Sequence, residues 1–155
     1  MKVLYGCITG VHTSLLAAAF HLGWFDSKLK FRECRAKMPM YGALTYKQIG
    51  QPLFWGYDEH QREVFTIGLA MERQIFCYAI HALFGLYNYS SQDYYFVDTS
   101  DYGGKLVKAG SDISGFPLIR PLGEALIANS LSRNREVIAD MVSSTKAYLD
   151  TIAVT

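Results

Sequence analysis

The 155-residue chain has no closely spaced cysteines, no long apolar run and no excess of either charge. Cys7, Cys34 and Cys77 are odd in number and widely separated, without a C-x-x-C pair. That spacing argues against a disulfide framework and against a structural zinc site. A net charge of +1 provides no bulk attraction to nucleic acid or to an anionic membrane, so neither is expected as a partner. No stretch of about 18 uncharged apolar residues occurs. Leu69 to Leu86 comes nearest, and Glu72, Arg73 and His81 interrupt it. The first residues offer one lysine and a short apolar run before glycines, without the h-region or cleavage site of a signal peptide. Internal repeats and low-complexity tracts are also missing. The expectation is a soluble cytoplasmic protein.

Half of the residues are hydrophobic, and 11 tyrosines and 9 phenylalanines are among them, while charged residues make up only 19%. A chain of this length and composition builds one domain, residues 1–155, around a sizeable core. Charge below the usual quarter points to a self-association surface and a homodimer.

Lys2 to Tyr5 reads as a buried strand, and Thr13 to Trp24 as a helix apolar on nearly every side. From Asp26 to Gly50 the periodicity dissolves. Lys28, Lys30, Arg32, Arg35 and Lys37 face a single acid, Glu33, before "MPMYG" and a short helical piece. A long excursion of this kind more often serves as a lid or contact loop than as filler. Pro52 to Gly68 reads as a β-hairpin around "DEHQ". The helix from Ala70 to Asn88 sets Ile75, Phe76, Ala79, Ile80, Leu83 and Leu86 on one broad face. "DYYFVDTS" reads as a strand ending at Asp98 and Thr99, and residues 103–123 as short, broken helix. "EALIAN" reads as a last strand. Ser132 then caps a closing helix with Val137, Ile138, Met141, Tyr148 and Leu149 inward. Strands alternating with helices predict a three-layer α/β/α fold, its mostly parallel sheet of four to five strands including one β-hairpin.

"GCITGVHTS", Gly6 to Ser14, joins the first strand to the first helix. In an α/β sheet the carboxyl ends of the strands open onto the ligand crevice. A glycine-containing turn there exposes amide N–H groups, and the helix adds its free amides and positive dipole end. Gly6, Thr9, Gly10, Val11, Thr13 and Ser14 would form a cradle for phosphate, sulfate or carboxylate. A thiol at such a rim is favoured as thiolate, which makes Cys7 the candidate nucleophile. His12 either donates to a bound anion, pairs with Cys7, or merely caps the helix. His21, further along the same helix, reads as structural. Asp98 and Thr99 end a strand where a catalytic acid or a ligand contact would sit, although helix capping explains them as simply. Asp101 with Tyr102 is a weaker acid-loop pattern. Arg133, at the opening of the closing helix, is a candidate phosphate contact. Asp58 and Glu59 read as turn formers.

The loop is not a Walker A loop, because His12 stands nearest the place of the required lysine. "VLYGCITGVHTSLLAAAF" resembles the start of low-molecular-weight tyrosine phosphatases and arsenate reductases, with Cys7 and Ser14 at matching positions. Thr13 stands where those enzymes carry the arginine that binds the phosphoryl group. The arginine-free variant is similar to the phosphocysteine loop of lactose/cellobiose-type enzyme IIB proteins, matched by Cys7, Gly10, Val11, Thr13, Ser14, Leu15 and Leu16. Both likenesses cover about 20 residues, and they imply phosphoryl chemistry at Cys7. Over nearly the whole chain the sequence resembles an uncharacterised domain-of-unknown-function family of small proteins from spore-forming Firmicutes. Its C-x-G-G-x-H-S-S start is matched by Cys7, Gly10, His12, Thr13 and Ser14, with Thr9 replacing a glycine. "GYDEHQREVFTIG" and "FVDTS" continue the likeness, which implies no activity.

Two functions follow as expectations. The first is an anion-binding domain for a phosphorylated small molecule or nucleotide, with Cys7, His12 and Asp98 as catalytic candidates. Gly6, Thr9, Gly10, Val11, Thr13, Ser14, Thr99 and Arg133 would be its ligand contacts. The second is a non-enzymatic, dimeric binding module using the hairpin and the basic stretch. A metal on Cys7 and His12 is a third reading, and no metal or cofactor is expected.

Overall fold

The structure is a computed structural model that describes residues 1–26, 28–38, 40–42, 49–90, 92–114 and 116–152. Along the chain it forms β1 (Lys2–Cys7), α1 (Thr13–His21), α2 (Phe31–Lys37), β2 (Leu53–Tyr57) and β3 (Glu63–Gly68). It continues with α3 (Arg73–Leu86), β4 (Tyr94–Asp98), α4 (Lys105–Ser114) and α5 (Arg120–Ile152). The sheet order is β2-β3-β1-β4, with β1 parallel to both neighbours and β2 antiparallel to β3. The α/β fold is therefore as expected, with four strands among the described residues. Central β1 is covered on both faces, which is why "VLYGC" is buried without alternation.

The two faces of the sheet are covered unequally. Val3, Tyr5 and Val64 face a continuous core with α1, α2 and α5, joined by half-buried Tyr95 and Val97. Leu131, Ile138 and Leu149 of α5 are fully buried there. Each contributes about 1.5–3 kcal/mol relative to exposure. The alternate residues, Leu4, Phe65, Tyr94 and Phe96, face the other side, where α3 lies. His81 and Phe84 of α3 meet Tyr94 through ring contacts, and His81 meets Phe96.

Several sequence expectations need correction. "EALIAN" is not a strand, and Ser132 does not cap a helix. Both lie inside α5, which runs unbroken from Arg120 to Ile152. Glu, Ala and Leu are good helix formers, and Pro121 sits in the first turn, where its missing N–H has no intrahelical role. Val137 is exposed and Tyr148 is half exposed with its ring against Tyr95 of β4, whereas Ile138, Met141 and Leu149 are buried as expected. On α3 only Phe76 and Ile80 of the predicted inner face are half-buried, while Ile75, Ala79, Leu83 and Leu86 are exposed. The irregular excursion contains a regular helix, α2, whose Phe31 and Cys34 are buried. Glu33, the lone acid there, accepts the Lys30 N–H at the helix start. The short helical piece expected after Gly42 falls outside the described residues.

Asp58 is more than a turn former. Its buried carboxylate takes the Arg62 guanidinium at 2.6 Å and His21 Nε2 at 3.0 Å, and the Tyr5 hydroxyl lies 2.7 Å from His21 Nδ1. These bonds tie the hairpin tip to β1 and α1 at the amino edge of the sheet, opposite the Gly6–Ser14 loop.

Candidate functional site

At the carboxyl edge, the loop after β1 is shaped by contact with β3. Gly10 has φ +81°, and a Cβ on it would sit 2.6 Å from the Gly68 amide nitrogen. Only glycine fits there. The Gly10 N–H turns inward and donates to Cys7 Sγ at 3.2 Å, and Ser14 Oγ lies 3.1 Å from the same sulfur. Thr9 Oγ1 is 3.9 Å from the sulfur and 2.7 Å from His12 Nδ1. The sulfur thus sits behind the loop, and Cys7 is 3% exposed.

In front of the loop is a cavity of about 330 Å³. Ile8, Thr9, Val11 and His12 form its floor, with Ala70 and Met71 beside them. Ser111, Asp112 and Ser114 of α4 and Arg120 and Glu124 of α5 lean over it. This wall exists because α4 and α5 cross closely: a Cβ on Gly110 would come within 2.7 Å of the Gly123 carbonyl oxygen. Gly103 approaches Thr13 as tightly, and its carbonyl accepts Ser130 Oγ at 2.6 Å, which locks α5 over the loop.

His12 is the buried polar group of this wall. Its Nε2 has no hydrogen-bond partner among the described residues, and the ring stands edge-on to Tyr41 at 5.3 Å. Burial, helped by the positive charges of Arg35 and Arg120, pushes its pKa down to about 4, so the imidazole is neutral at pH 7. Arg120 donates to the Gly42 carbonyl at 3.0 Å and lies 3.5 Å from Glu124. Arg35 stacks over Tyr41 and lies 3.6 Å from the same carboxylate. Thr13 Oγ1 and Ser114 Oγ are also buried without partners among the described residues. The first amides of α1 have no intrahelical acceptor by construction.

The fold brings Thr9, Val11 and His12 to the cavity, with Gly6, Cys7, Gly10, Thr13 and Ser14 directly behind them. It takes the other candidates elsewhere. Asp98 turns toward α3, where Arg73 bridges it at 3.4 Å and Asp101 at 2.9 Å. Thr99 is fully buried, and both its N–H and its hydroxyl donate to the Gly6 carbonyl at 2.7 Å, which closes the β1–β4 edge. Arg133 is exposed in the middle of α5, so its expected place at a helix opening is wrong. Arg35 is the member of the basic stretch that reaches the cavity's neighbourhood, and Lys28, Lys30, Arg32 and Lys37 face water. His21 is tied into the Asp58 network. Among the described residues no three His, Cys, Asp or Glu side chains stand together as a metal ligand set.

Sequence reasoning missed Arg120, Glu124, Tyr41, Ser111, Asp112 and Ser114. Only Arg120-Pro121, an arginine beside a helix-opening proline, carried a local signal.

Among the described residues no helix is long and apolar enough to cross a membrane. No curated protein and no solved structure matches the chain. Residues 2–147 match the family described as Protein of unknown function (DUF3189), and the chain belongs to that family.

Proposed function

We propose that the chain binds a small phosphorylated molecule, such as a nucleotide or sugar phosphate, in the cavity before the β1–α1 loop. The observation that carries this reading is His12, which lines the cavity and whose buried Nε2 has no partner among the described residues. A buried polar atom left so costs about 1–3 kcal/mol, which a ligand oxygen would recover. The Thr9 hydroxyl lies 2.7 Å from Nδ1, and in the tautomer in which it donates there the ring proton sits on Nε2, free to donate to that oxygen. Arg120 and Arg35 supply two positive charges at the rim, against the negative charges of Glu124, which both approach, and of Asp112, and the start of α1 adds its dipole. The apolar floor of Ile8, Val11 and Met71 suits the uncharged part of the ligand. Similarity of the loop to phosphate-handling loops supports the same class. The three free cysteines fit a reducing cytoplasm.

A second reading, in which Cys7 accepts the phosphoryl group, is favoured by the Gly10 N–H that donates to its sulfur and by the Ser14 hydroxyl 3.1 Å from it. It requires the sulfur to reach the cavity that Thr9 and Gly10 now screen from it.

Calorimetric titration with inorganic phosphate, AMP and glucose 6-phosphate tests the binding. Saturable binding is expected, and Arg120→Ala should weaken it about tenfold, the loss of one charge-assisted hydrogen bond. His12→Phe, which removes the Nε2 proton, should do the same. If none of the three ligands binds at millimolar concentration, the reading is wrong. Labelling of Cys7 by an acyl phosphate, lost in Cys7→Ser, would favour the covalent version.

A further inference from the structure

Helix α3 is apolar around its whole circumference. Phe76, Ile80 and Phe84 face its own sheet, while Ile75, Tyr78, Leu83 and Leu86 face away and are 67%, 75%, 52% and 77% exposed. From Gln74 to Gln92 the sequence has no Asp, Glu, Lys or Arg. A helix that is hydrophobic all round belongs in an interior.

The sheet beneath it has room for a second helix. Four strands spaced about 4.8 Å apart make a surface about 19 Å wide, whereas a helix covers about 10 Å. On the core face α1 and α5 fill that width. On the opposite face α3 lies over β4, and Ile49 and Gly50 cover the carboxyl end of β3, where Ile67 is 3% exposed; among the described residues the β2 side toward the hairpin tip stays open. There Phe54 and Tyr57 are 49% and 57% exposed, and the Phe54 ring meets Phe65 and Tyr57 of its own hairpin.

We infer that this face is a homodimer interface in which α3 of each copy lies on the β2–β3 face of the other. The two unmatched surfaces, an outward apolar helix and an aromatic sheet strip, occur side by side on one molecule. A twofold axis brings each against its complement twice. The outward helix face and Phe54 and Tyr57 together offer on the order of 800 Å² per copy, the share taken by an interface of standard size. Beyond Arg73 in its first turn the helix carries no Asp, Glu, Lys or Arg, so little like-charge repulsion opposes the pairing. Helices that bind membrane surfaces carry lysines and arginines on their polar face, and α3 has none beyond Arg73.

Sedimentation velocity of the full chain at micromolar concentration is expected to give twice the monomer mass. Tyr78→Glu and Phe54→Lys should each yield monomers with unchanged circular dichroism, since both side chains already stand about half in water or more. Mixing the two variants should restore a dimer, because the carboxylate introduced in one copy then meets the ammonium introduced in the other, while the second contact stays native. A monomeric wild type overturns the inference, as does a dimer that survives both substitutions. Failure of the mixture to dimerise overturns the reciprocal arrangement.

Discussion

Gly10 illustrates how much one residue can decide. Its left-handed backbone aims the N–H at Cys7, and the missing side chain lets the loop touch β3. Gly10→Ala should therefore destabilise by about 2–4 kcal/mol, combining the left-handed penalty with overpacking against backbone. Urea unfolding should show the lowered midpoint at an unchanged m-value. This position was legible, because a glycine inside a strand-to-helix loop already signals an unusual dihedral. Arg120 was not legible in the same way. It reaches the cavity only because Gly110 and Gly123 allow two helices to cross there, and no local pattern around Arg120 encodes that approach.

At the scale of elements, two helical glycines make opposite predictions. Replacing a helical glycine by alanine ordinarily gains about 1 kcal/mol. Gly85 of α3 has open space where a Cβ would stand, so Gly85→Ala should stabilise by about 0.5–1 kcal/mol. At Gly110 the same gain competes with a Cβ 2.6 Å from Ile127 and 2.7 Å from the Gly123 carbonyl. Overpacking of about 1–3 kcal/mol wins there, so Gly110→Ala should lower the melting temperature. By displacing α4 it should also weaken phosphate binding, which the same titration would detect. The order from β1 to β4 was readable from periodicity except for α2, whereas the last strand expected at "EALIAN" is part of α5. The unity of α5 was not, because Gly123 and Ser132 look like breaks until α4 and Gly103 are seen packed against that stretch. The inward face of α3 was also misread, since apolar spacing on a helix that is apolar all round marks no single direction.

For the whole molecule, stability should depend on pH through buried groups at both edges of the sheet. His12 is held near pKa 4, and burial also pushes His21 down, more strongly than the Asp58 carboxylate pushes it up. Unfolded, each imidazole takes a proton near pH 6.5 that the folded chain refuses, so stability is full above that value and falls below it. From His12 alone the loss should be about 3 kcal/mol between pH 7 and pH 4. His12→Gln should flatten that part of the profile in urea titrations. Asp58 acts in a lower window. Burial raises its carboxyl, but the donors from His21, Arg62 and the Arg62 and His60 amides prevail and hold it down to about 2. Its contribution is present above about pH 4 and disappears as pH falls toward 2, worth about 2 kcal/mol.

The sequence by itself determined the alternation of strands and helices, the single sheet, and the glycine-bearing loop at the carboxyl edge. Those features depend on side-chain periodicity and backbone preference over a few residues. Tertiary structure alone decided that the Cys7 sulfur lies behind that loop, that Arg120 and Glu124 arrive in front of it, and that one side of α3 remains bare. Each of these depends on which distant surfaces meet, and that is settled by close approach between elements far apart along the chain.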